Sequence, residues 1–468
     1  MSGALAVTVI GCDGRPHGPE ATSALAAADR VAGAPRHLEA AELPAGAERI
    51  VIKRLDDALD AICGRPGRVA VLASGDPGFF GIVRALRARG VTPEVIPAVS
   101  SVALAFARLG LDWDDALVVS AHGRNPRQAL AAALAHPKVA ILTAPGNATA
   151  RALGAELLRA GRKVYVAECL GAPQERLSDL SAEPARDFAE PNILVALDLK
   201  APERLKAPER LKAPERLKAP ERLKAPERLK APEHLKVAER PEAPDREGPR
   251  WLAGHPGAPP GWALPEDEFG HRDSMITKAE VRALVLARLG PAPGRTIWDV
   301  GAGSGAVSVE CARFGAWVIA VESDQAQCDL IRQNAARHRV HLRLHQGRAP
   351  DALVGLPPAD AVFVGGGDHA VLGAAIRTGN PERVVVTLAA IQRVGETSDL
   401  LAAQGYEPHG VQLQASRLTP LPNKTLRLAA QNPVFVLWGE KIMTIVDRYL
   451  PHTGSSDPRS RQSPGARP

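Results

Sequence analysis

A glycine-rich turn between an expected strand and an expected helix is the part of the sequence best suited to binding a ligand. The turn, 299–305, reads DVGAGSG; it follows the strand-forming run 296–298 and precedes an apolar helical run, 306–314. A second apolar run ends at Glu322, and a carboxylate about 20 residues after such a turn is typical of a nucleotide-binding α/β unit. The glycines let the backbone approach a ligand, and the helix start offers unpaired N–H groups. Glu322 is therefore expected to accept hydrogen bonds from both hydroxyls of a ribose.

The spacing of the glycines favours S-adenosylmethionine (SAM) over a dinucleotide. The dinucleotide fingerprint is G-x-G-x-x-G, whereas this chain has G-x-G-x-G with Asp299 two positions before the first glycine. This variant resembles the glycine motif of SAM-dependent methyltransferases. A sharp turn without a ligand is the alternative for an isolated glycine motif, and the flanking Asp299 and Glu322 argue against it.

The elements around this turn predict a parallel sheet with helices on both faces and an antiparallel edge, because strands and helices alternate until two strands follow each other at the end. Ligands of such sheets lie outside the carboxyl ends of the strands, where the glycine turn is expected. The elements expected after Glu322 are the helix 325–338 and the strands 340–346, 361–365, 383–389, 411–415 and 433–438.

Three further turns follow strands in the first 200 residues. Their loops, at 11–14, 73–81 and 97–101, are rich in Gly, Pro and Ser, and the strands before them are 6–10, 69–72 and 95–96. Because strand ends of one α/β sheet meet at one edge, these loops are expected to converge on a ligand. Each loop alone is also consistent with an ordinary structural turn.

A hexapeptide repeat separates two expected domains. Residues 201–236 read APERLK five times and then APEHLK. A proline at every sixth position disfavours helix, and one leucine per repeat cannot build a core, so we expect a semi-extended linker. It is either an inert spacer or a docking segment for an acidic partner. The expected organisation is an α/β domain at 1–199, a disordered linker at 200–261, a second α/β domain at 262–450 and a disordered tail at 451–468.

Composition argues against several classes of protein. The net charge is +6, but the repeat carries eleven Lys and Arg against six Glu, a surplus of five, which leaves about +1 for the rest. Such near-neutral domains do not favour a nucleic-acid partner. The five cysteines are scattered, which predicts reduced thiols in the cytoplasm and neither disulfides nor a metal site. No signal peptide and no membrane span of about 18 apolar residues is expected.

The motifs of both domains, taken in order, resemble the SAM-dependent tetrapyrrole methyltransferases of cobalamin biosynthesis. The first domain resembles the carbon-5 methyltransferases, in the segments VIGCDG, ASGDPGFFG, IPAVSSVALAFARLG, SAHGR and ECLGAPQERL. The second resembles the carbon-15 methyltransferases and decarboxylases, in TKAEVR, WDVGAGSGAVSVE, GRAP, VFVGGG and NPV. This resemblance implies an N-terminal two-lobed tetrapyrrole-methyltransferase α/β fold. It also implies a C-terminal Rossmann-like SAM-methyltransferase fold with antiparallel edge strands.

The resemblance also implies an activity, since the two functions occur fused in this order in that family. The chain is expected to methylate precorrin-6B at carbons 5 and 15 and to decarboxylate a ring acetate, giving precorrin-8. The implied co-substrate is SAM at two sites. The implied partner is the tetrapyrrole substrate, with no nucleic acid and no membrane, in a cytoplasmic homo-oligomer.

SAM contacts follow from the resemblance by position. In the first domain they fall on Ser74, Gly75, Asp76, Ser100 and Ser101. In the second they fall on Thr277, Gly301, Ala302, Gly303, Ser304, Gly305, Glu322 and Ala349. The chain departs from the family pattern at Cys12 and Asp13, where a Gly/Pro-rich turn is frequent, and at Arg348, where an acidic residue is frequent. The segment 386–390 also lacks the glutamate that often follows this strand.

The chemistry itself demands few reactive side chains. The methyl group of a sulfonium is already activated and its leaving thioether is neutral, so catalysis should consist mostly of positioning. The conjugated macrocycle can take up the electrons of a decarboxylation, so no metal, flavin or pyridoxal phosphate is expected. The sequence shows no Ser/His/Asp triad, and it leaves the catalytic residues unknown. Cations should meet the carboxylates of the substrate. Those next to the motifs are His122, Arg124, Arg272 and Lys278, each of which is otherwise an ordinary surface charge.

Two alternatives remain open in the sequence: a methyltransferase acting on RNA or on another tetrapyrrole, and a carrier that binds SAM or corrinoid intermediates without catalysis. The near-neutral domains and the aromatic content of 4% count against RNA. The sequence also leaves open whether both halves are active, which methylation comes first and whether the ring already holds cobalt.

Overall fold

The computed structural model describes residues 4–122, 125–144, 146–183, 186–199, 251–272, 276–365, 367–422 and 425–442. The chain divides into two compact units, the first ending at Pro256 and the second beginning at Gly257. Within the described residues, no helix is both long enough and apolar enough to cross a bilayer.

The first unit begins with a parallel five-stranded sheet in the order β3-β2-β4-β1-β5. Alternate strand residues face opposite sides, and each side is covered by two helices. Val7 and Val71 pack towards α3 and α4, whereas Ile10 and Leu72 pack towards α1 and α2. The elements are β1 (Leu5–Cys12), α1 (Pro19–Ala26), β2 (Arg30–Gly33), α2 (Pro35–Ala40), β3 (Glu48–Val51), α3 (Leu55–Cys63), β4 (Gly67–Ser74), α4 (Ile82–Ala88) and β5 (Glu94–Ile96).

A second sheet forms the other lobe of this unit, with six strands in the order β11-β6-β7-β10-β8-β9. Strands β6 and β7 run parallel, and the other neighbours run antiparallel. The elements are α5 (Ser101–Leu109), β6 (Leu117–Ser120), α6 (Pro126–Leu134), β7 (Lys138–Leu142), α7 (Ala150–Arg159), β8 (Lys163–Glu168), β9 (Arg176–Asp179), β10 (Asn192–Leu197) and β11 (Leu252–Ala253).

Strand β11 lies in the range expected to be a disordered linker, so the structure differs from that expectation near residue 252. Leu252 and Ala253 pair with Val119 and Val118 at the edge of the second sheet. This pairing gives hydrogen-bond partners to backbone N–H and C=O groups of β6, which would otherwise be unpaired at the edge of the sheet. The repeat at 201–236 and the tail at 451–468 lie outside the described residues.

The second unit contains a seven-stranded sheet in the order β14-β13-β12-β15-β16-β20-β17. Its central strands are buried runs of Val, Ile and Ala, as in parallel sheets covered on both faces. The elements are α8 (Ala279–Leu289), β12 (Thr296–Val300), α9 (Ala306–Arg313), β13 (Trp317–Glu322), α10 (Gln325–Arg337), β14 (Arg343–Gln346), β15 (Ala361–Val364), α11 (His369–Gly379), β16 (Arg383–Leu388), α12 (Gln392–Ala403), β17 (Tyr406–Leu413), β18 (Ser416–Pro420), β19 (Leu426–Ala430) and β20 (Val434–Lys441).

The predicted fold class is confirmed in both units: a two-lobed α/β domain precedes a Rossmann-like sheet. Strand β20 runs antiparallel to both β16 and β17, so the antiparallel pairing lies at the predicted edge. The outermost strand, β17, therefore has the same direction as β16. The hairpin of β18 and β19 is not predicted from the sequence.

Candidate active sites

A cleft of about 390 Å³ opens at the carboxyl ends of the strands of the second unit. Its volume falls within the range of small-molecule sites, and its position is the usual ligand position in open α/β sheets. The lining residues come from the ends of β12 and β13 and from the loops after β14 and β15. They are Val300, Gly301, Val321, Glu322, Ser323, Gly347, Arg348, Ala349, Pro350, Gly367, Asp368 and Val371.

The glycine turn beside this cleft has a backbone that other residues rarely adopt. Gly301, Gly303 and Gly305 have φ values of +73°, +56° and +78°. A Cβ on Gly305 would also lie 2.9 Å from Cγ1 of Ile331 in α10. The G-x-G-x-G pattern thus follows from the left-handed backbone, and the third glycine also permits close packing of helix against turn.

Glu322 ties the glycine turn to the end of β13. One carboxylate oxygen accepts a hydrogen bond from Gly303 N at 2.8 Å, and the other accepts from Ser323 N at 2.7 Å and Asp324 N at 2.9 Å. Three backbone donors therefore fix the carboxylate at the wall of the cleft. A carboxylate has about four acceptor positions, so capacity remains for a ligand hydroxyl.

Asp299 lies beneath the turn and does not line the cleft. It is almost fully buried, and Ser308 Oγ of α9 donates a hydrogen bond to its Oδ2 at 2.5 Å. Burial raises the pKa of Asp299 to about 6, the hydrogen bonds from Ser308 oppose this shift, and the charge of Glu322 adds to it. Asp299 therefore joins β12 to the first turns of α9, and its role at the site is indirect.

A buried ion pair holds the segment ahead of α8. Arg282 and Glu310 have no exposed side-chain surface, and Arg282 Nε donates to Glu310 Oε1 at 2.8 Å. Glu310 also accepts from Ala263 N at 3.0 Å and Leu264 N at 2.8 Å. Arg282 donates to the carbonyl of Thr277. The pair thus fixes the segment on which Thr277 lies.

The predicted C-terminal SAM contacts occupy three kinds of position. Gly301, Glu322 and Ala349 line the cleft, and residues 302–305 form the turn beside it. Ser304 is buried, and its carbonyl accepts from Asn334 Nδ2 at 2.8 Å. Thr277 does not line the cleft. These assignments as SAM contacts stay a prediction.

Sequence reasoning did not single out Ser323, Asp368 and Val371, which also line the cleft. Asp368 Oδ1 accepts from Val371 N at 2.9 Å and caps α11. An available signal was the acidic residue directly after the VFVGGG segment, just where the next helix starts.

In the first unit the three predicted turns converge, as expected from their positions after strands. A Cβ on Gly11 would lie 2.5 Å from Gly75 O and 2.6 Å from Ala98 N. Gly75, with φ of +61°, donates to Cys12 O at 2.7 Å. A Cβ on Gly75 would lie 3.2 Å from Ser101 N. The three loops are therefore in backbone contact, which only glycine at these positions allows.

The two lobes of this unit also meet at these loops. A Cβ on either Gly14 or Gly171 would overlap the backbone of the other loop. Glu168, at the end of β8, is buried and accepts from Arg186 Nη2 at 2.9 Å and Ala189 N at 2.7 Å. The VIGCDG and ECLGAPQERL segments are thus in direct backbone contact.

The predicted N-terminal SAM contacts lie on these converging loops. Asp76 Oδ1 accepts from Gly78 N at 2.8 Å, and Ser100 Oγ accepts from Ala103 N at 3.1 Å, capping α5. Ser101 is the first residue of α5. Ser74 is exposed at the end of β4. The structure brings these residues together, and their contact with SAM stays a prediction.

Two residues missed in the sequence, Arg36 and His37, contact Ser74. Ser74 Oγ accepts from Arg36 Nη2 at 2.7 Å and lies 3.3 Å from His37 Nε2. Burial lowers the pKa of His37 to about 4, with help from the charge of Arg36. Arg36 and His37 lie in the first turn of α2, just after β2 ends. No glycine motif marks this strand end, so the sequence gave no indication of these two residues.

The expected substrate cations are scattered. Arg124 lies outside the described residues, and His122 follows β6, where burial lowers its pKa. Arg272 precedes α8 and does not line the cleft of the second unit. Lys278 lines a separate pocket of about 50 Å³ that includes Asn432. Their contact with substrate stays a prediction.

Comparison with known families assigns each unit separately. Residues 17–183 match the family described as Tetrapyrrole (Corrin/Porphyrin) Methylases. Residues 267–436 match the family described as Precorrin methyltransferase domain. The first match includes residues 74–76 and 100–101, and the second includes all residues that line the cleft.

Curated relatives give the same picture at the level of whole proteins. A precorrin-6Y C(5,15)-methyltransferase [decarboxylating] from Sinorhizobium is 33% identical over 393 residues, 80% of this chain and 81% of the relative. A probable cobalt-precorrin-6B C(15)-methyltransferase (decarboxylating) from Pyrobaculum calidifontis is 32% identical, covering 39% of this chain and 96% of the relative. A cobalt-precorrin-7 C(5)-methyltransferase from Salmonella typhimurium is 35% identical, covering 38% and 91%.

The Sinorhizobium relative matches across most of both proteins, and the two shorter relatives bear the names of its separate activities. The chain therefore belongs to the family of decarboxylating precorrin-6Y C(5,15)-methyltransferases, SAM-dependent enzymes of cobalamin biosynthesis.

Proposed function

We propose that this chain methylates precorrin-6B at carbons 5 and 15 and decarboxylates a ring acetate, giving precorrin-8. The observation that carries the proposal is that glycine-rich loops meet at the carboxyl ends of parallel strands in both units, beside a cleft of about 390 Å³ in the second. Such strand ends are the usual ligand sites of open α/β sheets. The match to a bifunctional relative over 393 residues supports the same assignment.

Each unit binds one SAM in this proposal. In the second unit, Glu322 accepts hydrogen bonds from the ribose, and residues 301–305 let the backbone approach the nucleoside. Ala349, on the loop after β14, lines the same cleft. In the first unit, residues 74–76 and 100–101 bind the second SAM, since these two loops are in backbone contact.

The domains divide the work. Residues 1–199, with the added strand β11, methylate carbon 5, and residues 262–450 methylate carbon 15 and remove the carboxyl group. The repeat at 201–236 connects the two and needs no part in the chemistry. His122, Arg124, Arg272 and Lys278 are proposed to meet substrate carboxylates.

Positioning accounts for the methyl transfers. SAM supplies an activated methyl group on its sulfonium. The chain's part is to hold a nucleophilic ring carbon in line with that methyl group and to exclude water, which rigid loops between packed strands can do. The converging backbones of Gly11, Gly75 and Ala98 and the turn fixed by Glu322 provide that rigidity.

The decarboxylation needs an electron sink and a proton. The bond between the acetate methylene and its carboxylate breaks, and CO2 leaves. The electron pair passes into the conjugated macrocycle, and the exocyclic carbon then takes up a proton to become a methyl group. The macrocycle performs the electronic part, so the second unit's contribution is to bind and orient the substrate.

A cytoplasmic homo-oligomer completes the proposal. The hairpin of β18 and β19 exposes Leu418, Leu426 and Leu428, which are 66%, 58% and 69% exposed. Leu418 and Leu428 are cross-strand partners, so they lie on one face. Exposed apolar faces of this kind commonly mark protein contacts, and a second copy of the chain is the occupant we propose.

Mass spectrometry of precorrin-6B incubated with SAM and the purified chain tests the proposal. A product that has gained two methyl groups and lost one CO2 is expected. A product with one methyl gain would contradict the activity of one unit. No change in mass, with SAM binding retained, would contradict the substrate assignment as a whole.

A further inference from the structure

Arg36 lies at the carboxyl edge of the first sheet, where β2 ends and α2 begins. Its side chain is exposed, and its Nη2 donates to Ser74 Oγ at the end of the neighbouring strand β4. In the part of the chain that the structure describes, no ion pair joins Arg36 to a carboxylate. The guanidinium has five N–H donors in a planar fork, so several remain available.

Groups from three other loops lie within the electrostatic reach of Arg36. They are Cys12 at the end of β1, His122 after β6 and Cys169 after β8. Burial raises the pKa of Cys12 to about 11 and raises that of Cys169, and it lowers the pKa of His122. The positive charge of Arg36 lowers the pKa of all three. Together with the hydrogen bond to Ser74, these interactions place Arg36 near the loops at which both lobes of this unit meet.

The titratable groups on which the charge of Arg36 acts are uncharged at neutral pH. Burial brings the pKa of His37 to about 4, and both thiols keep their protons because burial raises their pKa. Asp13, a nearby carboxylate on the VIGCDG loop, is already paired with Arg15 at 2.5 Å. The charge of Arg36 is thus left without a described counter-ion at the edge where ligands of such sheets bind.

We propose, on the basis of the function proposed above, that Arg36 binds a carboxylate of a ligand at the converging loops of the first unit. A guanidinium binds a carboxylate through two parallel hydrogen bonds, and such charge-assisted pairs are the strong ones. The hydrogen bond from Arg36 Nη2 to Ser74 Oγ already restricts the guanidinium group, so the side chain of Arg36 loses less conformational entropy when a carboxylate binds. The carboxylate belongs either to the amino-acid end of SAM or to an acetate or propionate of the precorrin.

The full-length chain with Arg36→Gln tests this role. The rate of carbon-5 methylation is measured while SAM and the precorrin are varied separately. Loss of a hydrogen-bonded charge partner should raise one Michaelis constant by about 10- to 100-fold. Arg36→Lys keeps the charge without the fork and should recover part of that loss. Arg87→Gln, on the last turn of α4 and exposed, is the matched control and should behave as the wild type.

The two sources of the carboxylate give different results. A rise in the Michaelis constant for SAM alone assigns Arg36 to SAM, and decarboxylated SAM should then bind wild type and variant equally. A rise for the precorrin alone assigns it to the tetrapyrrole. If both constants stay within about twofold of wild type, or only kcat falls, Arg36 does not bind a ligand carboxylate.

Failure of this inference is distinct from failure of the proposed function. If the wild-type chain methylates carbon 5 and Arg36→Gln matches it, only the role of Arg36 is contradicted. If the wild-type chain does not methylate carbon 5, the proposed function of the N-terminal unit is contradicted and the role of Arg36 falls with it. Carbon-15 methylation takes place in the second unit and should be equal in wild type and variant, whereas an unchanged unfolding curve by circular dichroism controls for correct folding of the first unit.

Discussion

Asp299 shows how one buried carboxylate can serve a ligand site without touching the ligand. Burial raises its pKa to about 6, from an ordinary value of 3.8. A raised carboxyl pKa means that the folded state holds the proton more tightly than the unfolded state. The protonated carboxyl group therefore makes its full contribution to the free energy of unfolding below about pH 4. This contribution is lost as the pH rises from about 4 to about 6 and the buried group loses its proton.

Asp299→Asn should remove this pH dependence. The amide can still accept the hydrogen bond from Ser308 and carries no charge at any pH. Relative to wild type, the variant should gain about 2–3 kcal/mol in unfolding free energy between pH 4 and pH 7. The difference is measured by urea unfolding of the wild type and of Asp299→Asn at several pH values, with hydrogen exchange of the amides in β12 and β13 as the readout. A difference that does not change with pH would contradict the raised pKa.

At the same scale, the sequence predicted some residues of the candidate sites and missed others for a clear reason. Glu322 was predicted because its distance from the glycine turn is local to one strand–helix–strand unit, and it lines the cleft. Arg36 and Ser74 are 38 residues apart and meet only because β2 and β4 pair in parallel, with Gly33 opposite Leu72. Local spacing carries no information on that pairing.

Among the elements, the segment ahead of α8 depends on a single buried ion pair. Arg282 and Glu310 are fully buried, and Glu310 accepts hydrogen bonds from the backbone of residues 263 and 264. Removal of one partner leaves an uncompensated charge in the core, which typically costs 3–5 kcal/mol. The segment that carries Thr277 is the part that should open first.

Glu310→Gln should loosen that segment and weaken SAM binding in the second unit. We expect a loss of about 3 kcal/mol in unfolding free energy and faster hydrogen exchange in residues 263–272. Arg313→Gln is the control, because Arg313 contacts the same carboxylate at 3.3 Å from a partly exposed position. Equal effects of the two variants would show that the buried pair has no special role.

The periodicity of the sequence predicts some helices and strands accurately and others poorly. Strands β13 and β16 were predicted to within about one residue, because apolar runs mark them clearly, and the bounds of helices α9 and α10 were predicted equally well. Strand β17 begins at Tyr406, five residues before its predicted start, and it is mostly exposed. The hairpin of β18 and β19 was missed because its leucines are exposed. Predictions from apolar periodicity assume that apolar residues are buried in a core, and these leucines are not.

For the whole molecule, the exposed hairpin predicts self-association. Leu418→Asp together with Leu428→Asp places two charges on the apolar face and should convert the oligomer to a monomer. Light scattering coupled to size exclusion measures the mass. Val354→Asp is the control, since Val354 is 78% exposed in another part of the second unit. A monomeric wild type, or a variant of unchanged mass, would contradict this surface.

The whole chain also carries the central claim, which is that two independent sites each transfer one methyl group. The repeat of six hexapeptides, 201–236, contains no motif that could couple them chemically. Each compact unit has its own sheets and its own glycine-rich loops at strand ends. A defect in one site should therefore leave the other site active.

The most direct test is the product mass obtained with Glu322→Ala in the full-length chain. Glu322 holds the glycine turn through three backbone donors, so its loss should abolish SAM binding in the second unit only. Glu407→Ala, an exposed glutamate of β17, is the matched control and should yield two methyl groups, as wild type does. Glu322→Ala is expected to yield a product with one added methyl group, at carbon 5. A variant product with two added methyl groups, or with none, would contradict it.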